Sequence, residues 1–181
     1  MALLKKTNDP HSPDEKTERS KLAAGYLALL VRILVVAAIG VLVFTKVFLI
    51  TQVQGNDMYP ALRDGDLIIA FRLHRGYAKN DVAVYSCGGE RSVGRIAALE
   101  HDTVMMDESG IFSVNGTEQL GEILFPTYAE DGIEYPYTVP DGCVFILNDH
   151  RTAGKDSREK GAIPLEDVSG KVITLLRRRG I

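Results

Sequence analysis

The sequence predicts a mostly β chain, with one N-terminal transmembrane helix followed by an antiparallel β-barrel or sheet domain. Three observations predict it. The stretch Tyr26–Ile50 is apolar apart from Arg32 and Lys46. Beyond it, short runs rich in β-branched and aromatic residues recur, each bounded by turn residues. No helical pattern of useful length is evident after residue 50.

The first 25 residues read as a disordered cytoplasmic tail. The opening 20 are polar, contain Pro10 and Pro13, and show no apolar periodicity. Residues 26–50 would rise roughly 37 Å as a helix at about 1.5 Å per residue, enough for a ~30 Å hydrocarbon core. Arg32 and Lys46 lie near its ends, where long stems reach the headgroups. A buried core helix would suit Ile33–Thr45 but not the whole stretch. A cleaved signal peptide is disfavoured, because the apolar run starts late and no small-residue cleavage site follows. Lys5, Lys6, Lys16, Arg19 and Lys21 precede the helix, whereas Thr51–Leu62 has no Lys or Arg. That asymmetry puts the N-terminus in the cytoplasm and residues 51–181 outside the cell as the β domain of a single-pass membrane protein.

Within that domain the strand-like runs are Leu67–Phe71, Val82–Tyr85, Val93–Leu99, Thr103–Met106, Ile111–Val114, Val144–Leu147 and Val172–Leu175. Asp64-Gly65-Asp66, Asn115-Gly116, Asp131-Gly132 and Pro140-Asp141-Gly142 punctuate them, and Asn115-Gly116 is the strongest hairpin signal because both residues tolerate φ > 0.

Composition excludes several classes. The 181 residues are 45% hydrophobic and 25% charged, with a net charge of -3, so the chain is neither broadly disordered nor built around a basic nucleic-acid-binding face. Residues 51–181 hold 14 basic and 20 acidic residues, so the outer part is acidic. It has no attraction to anionic lipid, and the lipid bilayer is engaged through the helix. There is no Gly-rich phosphate loop and no Cys/His cluster at metal-ligand spacing, so no cofactor or metal is expected. Cys87 and Cys143 suit one disulfide in an oxidising compartment, or equally two small buried residues.

Three segments are more specific. They are Gly55–Asp66 (GNDMYPALRDGD), Gly94–Val104 (GRIAALEHDTV) and Leu147–Arg158 (LNDHRTAGKDSR). Together they resemble the type I signal peptidases. The first segment matches that family's Ser-Met-x-Pro-Thr-Leu-x-x-Gly-Asp at Met58, Pro60, Leu62, Gly65 and Asp66. The second is similar to Lys-Arg-Val-x-Gly-Leu-Pro-Gly-Asp-x-Val, and the third to Gly-Asp-Asn-Arg-x-x-Ser-x-Asp-Ser-Arg. The resemblance implies a signal-peptidase-like β fold over nearly all of residues 26–181. It also implies serine endopeptidase chemistry on extended peptides, held along a sheet edge near the membrane by Met58, Tyr59 and Pro60.

The departures from the family fall together. Asp57 occupies the position of the nucleophilic Ser, Gly94 that of the general-base Lys, and Gly154 that of the Ser that orients the Lys. Drift would spread over the motifs, whereas these changes strike one catalytic unit. A carboxylate is a poor nucleophile toward an amide, and glycine accepts no proton. Loss of one member of such a unit costs about 10⁴–10⁶ in rate. The resemblance is closest to catalytically degraded homologues associated with surface pili in Gram-positive bacteria. It therefore implies a non-catalytic assembly factor whose partners are pilin or other secreted protein precursors, with a sortase alongside. The competing expectations are an active signal peptidase and a structural membrane protein.

Other chemistries are weaker. Ser92 shares a strand face with Gly94 but has no Lys placed to serve it, and Asp57 with Asp149 or Asp156 would make an acid pair. Arg95 and Arg151 read as salt-bridging or carbonyl-binding scaffold. Cys143, His150 and Arg151 evoke a sortase, but the seven-residue Cys–His spacing along one strand and turn is wrong for facing groups.

Overall fold

The computed structural model describes residues 13–74, 76–119, 125–152 and 156–177. The chain divides into two compact units, Met1–Thr45 and Lys46–Ile181.

The first helix, α1, spans Pro13–Val47. Its portion Glu18–Val47 is long and apolar enough to cross a membrane by length and composition. Two boundaries differ from the sequence expectation. Residues 13–25, read as disordered tail, are helical, while residues 1–12 lie outside the described set. The signal was present in Ser12-Pro13-Asp14-Glu15, with Pro at the first helical position and acids in the first turn. At the other end, Phe48, Leu49 and Ile50 leave the expected helix and form a strand. Pairing decides this, because Phe48–Gln52 lies antiparallel to Leu67–Phe71 and buries Leu49 in the core.

The second unit is β-rich. Its strands are β1 (Phe48–Gln52), β2 (Leu67–Phe71), β3 (Val82–Cys87), β4 (Glu90–Ala98), β5 (Thr103–Met106) and β6 (Phe112–Val114). There follow β7 (Thr117–Glu118), β8 (Tyr137–Thr138), β9 (Cys143–Leu147), β10 (Ile163–Pro164) and β11 (Val168–Leu176). A short helix, α2 (Ser157–Lys160), interrupts the last strands. One sheet has the order β1-β2-β11-β3-β4-β9-β10 and a smaller one β7-β6-β5-β8, with antiparallel neighbours throughout. The expected mostly β class and antiparallel sheets are therefore present.

All seven strands expected from the sequence form. The Asn115-Gly116 turn joins β6 to β7 with φ of 53° and 75°. Besides β1, the strands missed are β7, β8 and β10, which are two residues long and carry no periodicity to read. β11 begins at Val168, four residues before the expected run.

Alternation along the strands builds three apolar clusters. β3 illustrates the rule, since Val84 joins Met58, Leu62 and Ile68 on one face while Ala83 and Tyr85 join Ile96, Val144 and Ile146 on the other. A register shift between Ile96 and Ala98 turns both Ala97 and Ala98 into the third cluster, against Phe112 and Phe145. The larger sheet thereby packs on the smaller. Cys87 ends β3, Cys143 starts β9, and both are free and half-buried.

Candidate functional site

After β1 the chain makes a closed excursion. Val53 N–H donates to Asp66 O at 2.8 Å and Gly65 N–H to Val53 O at 3.0 Å, so both ends of the Val53–Asp66 segment are pinned together. Met58 and Leu62 anchor it in the core, one helical turn apart, with Leu62 N–H on Met58 O at 2.8 Å. Gly65 supplies φ of +84°, which its neighbours would adopt only with strain. Asp66 is buried and holds Arg63 N–H at 2.9 Å and Arg177 Nη2 at 2.8 Å. The matching residues of the first motif are thus scaffold.

Asp57 immediately precedes the Met58 anchor and is half-buried. Its backbone carbonyl accepts His150 N–H at 2.8 Å, which ties the first motif to the third. Its carboxylate makes no hydrogen bond or ion pair among the described residues. Asp57 and Met58 line an open cleft of about 490 Å³, together with Thr51–Gln54, Glu90–Val93 and Asn148. β1 pairs only with β2, and Glu90–Val93 pairs only with β3, because β9 joins β4 from Arg95 onward. Two strand edges unpaired among the described residues therefore flank the Asp57 cleft. Of the other expected peptide contacts, Tyr59 is exposed with the Arg63 guanidinium 5.9 Å from its ring centre. Pro60 faces a different, larger cleft, and Met58 is only 1% exposed.

Gly94 sits in β4 opposite Ala83, two residues beyond Ser92. A Cβ on Gly94 would collide with the Ile146 Cγ2 methyl and lie 3.2 Å from Tyr85 Cε1. Ile146 and Tyr85 are 0% and 2% exposed, so neither has free space to retreat into. The place from which a side chain would leave this strand position is filled. Tyr85 lies directly across from Ser92, and the Ser92 side chain, Asp57 and Asp156 are within electrostatic reach of its phenol. Burial, reinforced by those two carboxylates, pushes the Tyr85 phenol well above its ordinary value. Sequence reasoning missed Tyr85, because only the strand register sets it opposite Ser92 and against Gly94.

The third motif is held by ion pairs. Arg95 Nε and Nη2 donate to Asp149 Oδ1 and Oδ2, both at 2.7 Å. Asp156 caps α2, accepts Asn148 N–H at 3.1 Å, and receives Arg158 Nε and Nη2 at 2.9 Å each. Both acids are fully engaged, so neither is placed to share a proton with Asp57. Gly154 lies outside the described residues. The sortase-like trio does not assemble. Cys143 starts β9 and packs on the Phe145 cluster, whereas His150 lies beyond the strand's far end, its ring tilted against Phe125 with centroids 4.4 Å apart. The strand alone puts roughly 13 Å between its ends at about 3.3 Å per residue.

A second cleft, of about 910 Å³, opens between Pro60, Arg95 and Asp149 on one side and Val114 and Thr117 on the other, with Arg151 also on its wall. It contains none of Asp57, Ser92 or Gly94.

A family model described as signal peptidase, peptidase S26, matches residues 26–176. The chain is 27% identical over 159 residues to signal peptidase I of Bacillus caldolyticus, covering 78% of this chain and 84% of that protein. It is 24% identical over 151 residues to a protein of Staphylococcus aureus named inactive signal peptidase IA, covering 76% and 84%. A solved signal peptidase I from Enterococcus faecalis shares 24% identity, covering 55% of this chain and 98% of that one with a TM-score of 0.46. The N-terminal apolar helix and these relatives together associate the chain with a membrane. With its three motifs joined through Asp57, Arg95 and His150, and the family model running from the apolar helix to the end of β11, this chain belongs to the signal peptidase S26 family of serine endopeptidases.

Proposed function

We propose that this chain is a non-catalytic, membrane-anchored signal peptidase I-like protein that holds extended segments of other proteins without cutting them. The observation that carries this reading is the packing at Gly94. The family's base position has no proton acceptor, and its exit is blocked by Ile146 and Tyr85. Asp57 at the nucleophile position compounds the loss. The cleft walls support retained binding. Unpaired edges at Thr51–Gln52 and Glu90–Val93 offer backbone groups to an added strand, and that mode of recognition needs no nucleophile. The free Asp57 carboxylate is positioned to meet a basic side chain on the bound segment.

The partners in this reading are pilins or other secreted precursors, with a sortase alongside, and the process is surface pilus assembly. The support is the likeness of the Asp57/Gly94 pattern to degraded homologues in Gram-positive bacteria. The relative in Staphylococcus aureus that is named inactive signal peptidase IA supports the non-catalytic part of this reading. The basic residues before α1 and their absence after it support a single pass with the N-terminus in the cytoplasm and the β domain outside.

The alternative is an active signal peptidase I that removes signal peptides. Within this cleft it would have to use Ser92. Across from it is the Tyr85 phenol, which burial keeps protonated at neutral pH and therefore unable to take a proton.

The test is cleavage of a signal-peptide-bearing substrate by the purified full chain, beside Asp57→Ser/Gly94→Lys. No turnover by the natural chain is expected, and none by the double variant while Ile146 and Tyr85 fill the slot. Turnover by the natural chain would end the non-catalytic reading.

A further inference from the structure

The larger cleft contains a charge that the fold leaves unanswered. Three guanidiniums, Arg95, Arg151 and Arg158, cluster around the third motif with two buried or half-buried carboxylates. Arg95 takes both oxygens of Asp149, and Arg158 takes both oxygens of Asp156 and also approaches Glu130 at 3.3 Å. Arg151 is left over. It is only 4% exposed, yet among the described residues its hydrogen bond is a single one, from Nη1 to Thr127 Oγ1 at 3.2 Å. Its Nε is buried with no acceptor among the described residues, and its guanidinium carbon lies 5.7 Å from the centre of the Phe112 ring. Burial drives its pKa down to about 10, against partial support from Asp156 and Asp149. A buried cation so weakly met is costly, and fold stability alone does not account for it.

Arg151 lines the 910 Å³ cleft, whose size suits a ligand far larger than a single ion. Its other cations are already paired, Lys79 to Asp102 at 3.0 Å and Arg95 to Asp149 at 2.7 Å, while the exposed Glu118 stands on the outer wall. Ala61, Ala97 and Val114 supply apolar wall. Thr117 and Glu118, which also line it, form β7 at the outer edge of the smaller sheet. That edge offers backbone donors and acceptors to an extended chain, and Arg151 offers a planar set of donors that fits a carboxylate.

We propose that this cleft is a second peptide-binding site, separate from the Asp57 cleft, which recognises an extended protein segment through an Asp or Glu side chain seated on Arg151. The unmatched guanidinium is the specificity element, and β7 is the strand on which the segment lies. The site stands independently of whether the Asp57 cleft binds anything.

The test uses the full chain in detergent micelles, panned against displayed random peptides. Enriched sequences are expected to share one acidic position. In a synthetic copy, replacing that Glu by Gln should weaken binding about tenfold or more, as loss of one member of a buried charged pair does. Arg151→Gln should weaken it as much, with no further loss when both changes are combined, and Arg151→Lys should keep part of the affinity. Arg151→Gln should melt no lower than the natural chain, because it removes an unmatched buried charge. The inference is overturned if no acidic position recurs, if Arg151→Gln binds as well as the natural chain, or if that variant melts markedly lower. It also fails if acetate or inorganic phosphate alone engages Arg151 while no peptide does, since the site would then be an anion site only. Binding that falls with Asp57→Ala but not with Arg151→Gln belongs to the smaller cleft, and would overturn this inference while leaving the proposed function standing.

Discussion

Gly94 and Ile146 are packed so closely across β4 and β9 that a single added carbon on Gly94 would overlap the Ile146 Cγ2 methyl. Ile146 is fully buried and β-branched, so its methyl has no alternative rotamer at low cost. The position therefore lacks both a side chain and the space for one.

Gly94→Ala measures that loss of space. It should destabilise the protein by about 1–3 kcal/mol in denaturant unfolding, as overpacking a close-fitted core does. Ile146→Ala alone should cost about 2–5 kcal/mol through the cavity it opens. The double variant should be clearly less destabilised than the two costs together, because each change relieves the other. Strict additivity would mean that Gly94 is not confined by Ile146.

Room for a lysine should follow from the same change. If the slot is what silences Asp57→Ser/Gly94→Lys, adding Ile146→Ala should let the amine enter and give detectable cleavage of a signal-peptide substrate. Equal silence from the triple variant would point to Gly154, the third altered position, as a further requirement.

The phenol of Tyr85 should mark the alkaline limit of the fold. Burial raises its pKa above the ordinary 10.0, and burial does the same for Tyr135. A group that holds its proton more tightly when folded contributes stability below its unfolded pKa, and that contribution is lost as pH rises past it. Melting temperature should therefore fall from about pH 10 upward. Tyr85→Phe should shallow that fall. An unchanged alkaline slope would show that the phenol is not buried in solution.

At the acid end, Asp66 should behave in the opposite sense. The Arg177 guanidinium holds its carboxyl below the ordinary value of 3.8, with the Arg63 backbone N–H assisting against the effect of burial. Its contribution is present above the unfolded pKa and is lost as pH falls through the depressed folded one. Arg177→Gln should lower stability at neutral pH and weaken its acid dependence below about pH 4, read from melting curves across pH. No change in either would make the Arg177–Asp66 contact dispensable.

The strands were legible where they were long. Leu67–Phe71 and Val144–Leu147 announce themselves by β-branched and aromatic content between turn residues, and the Asn115-Gly116 hairpin follows from two residues that tolerate positive φ. β1 was not legible, because Phe48–Ile50 continues an apolar run and only its pairing with β2 removes it from the helix. The start of α1 was legible in principle, but a polar segment with two prolines obscured it. Asp57 and Gly94 are legible as residue types, and the expectation of lost Ser-Lys chemistry rests on those types alone.

Residue types are set in the sequence: an apolar helix, β-forming runs, three segments that resemble the family's motifs, and Asp57 and Gly94 where that resemblance expects Ser and Lys. Register, closeness and pairing belong to the tertiary structure. It set Tyr85 opposite Ser92, pressed Ile146 onto Gly94, gave Asp149 to Arg95 and Asp156 to Arg158, and left Arg151 without a carboxylate among the described residues. The physical reason is that these are relations between residues far apart in the chain. A side chain's type is local, whereas the space beside it and the charge that answers it depend on which strands the fold brings together.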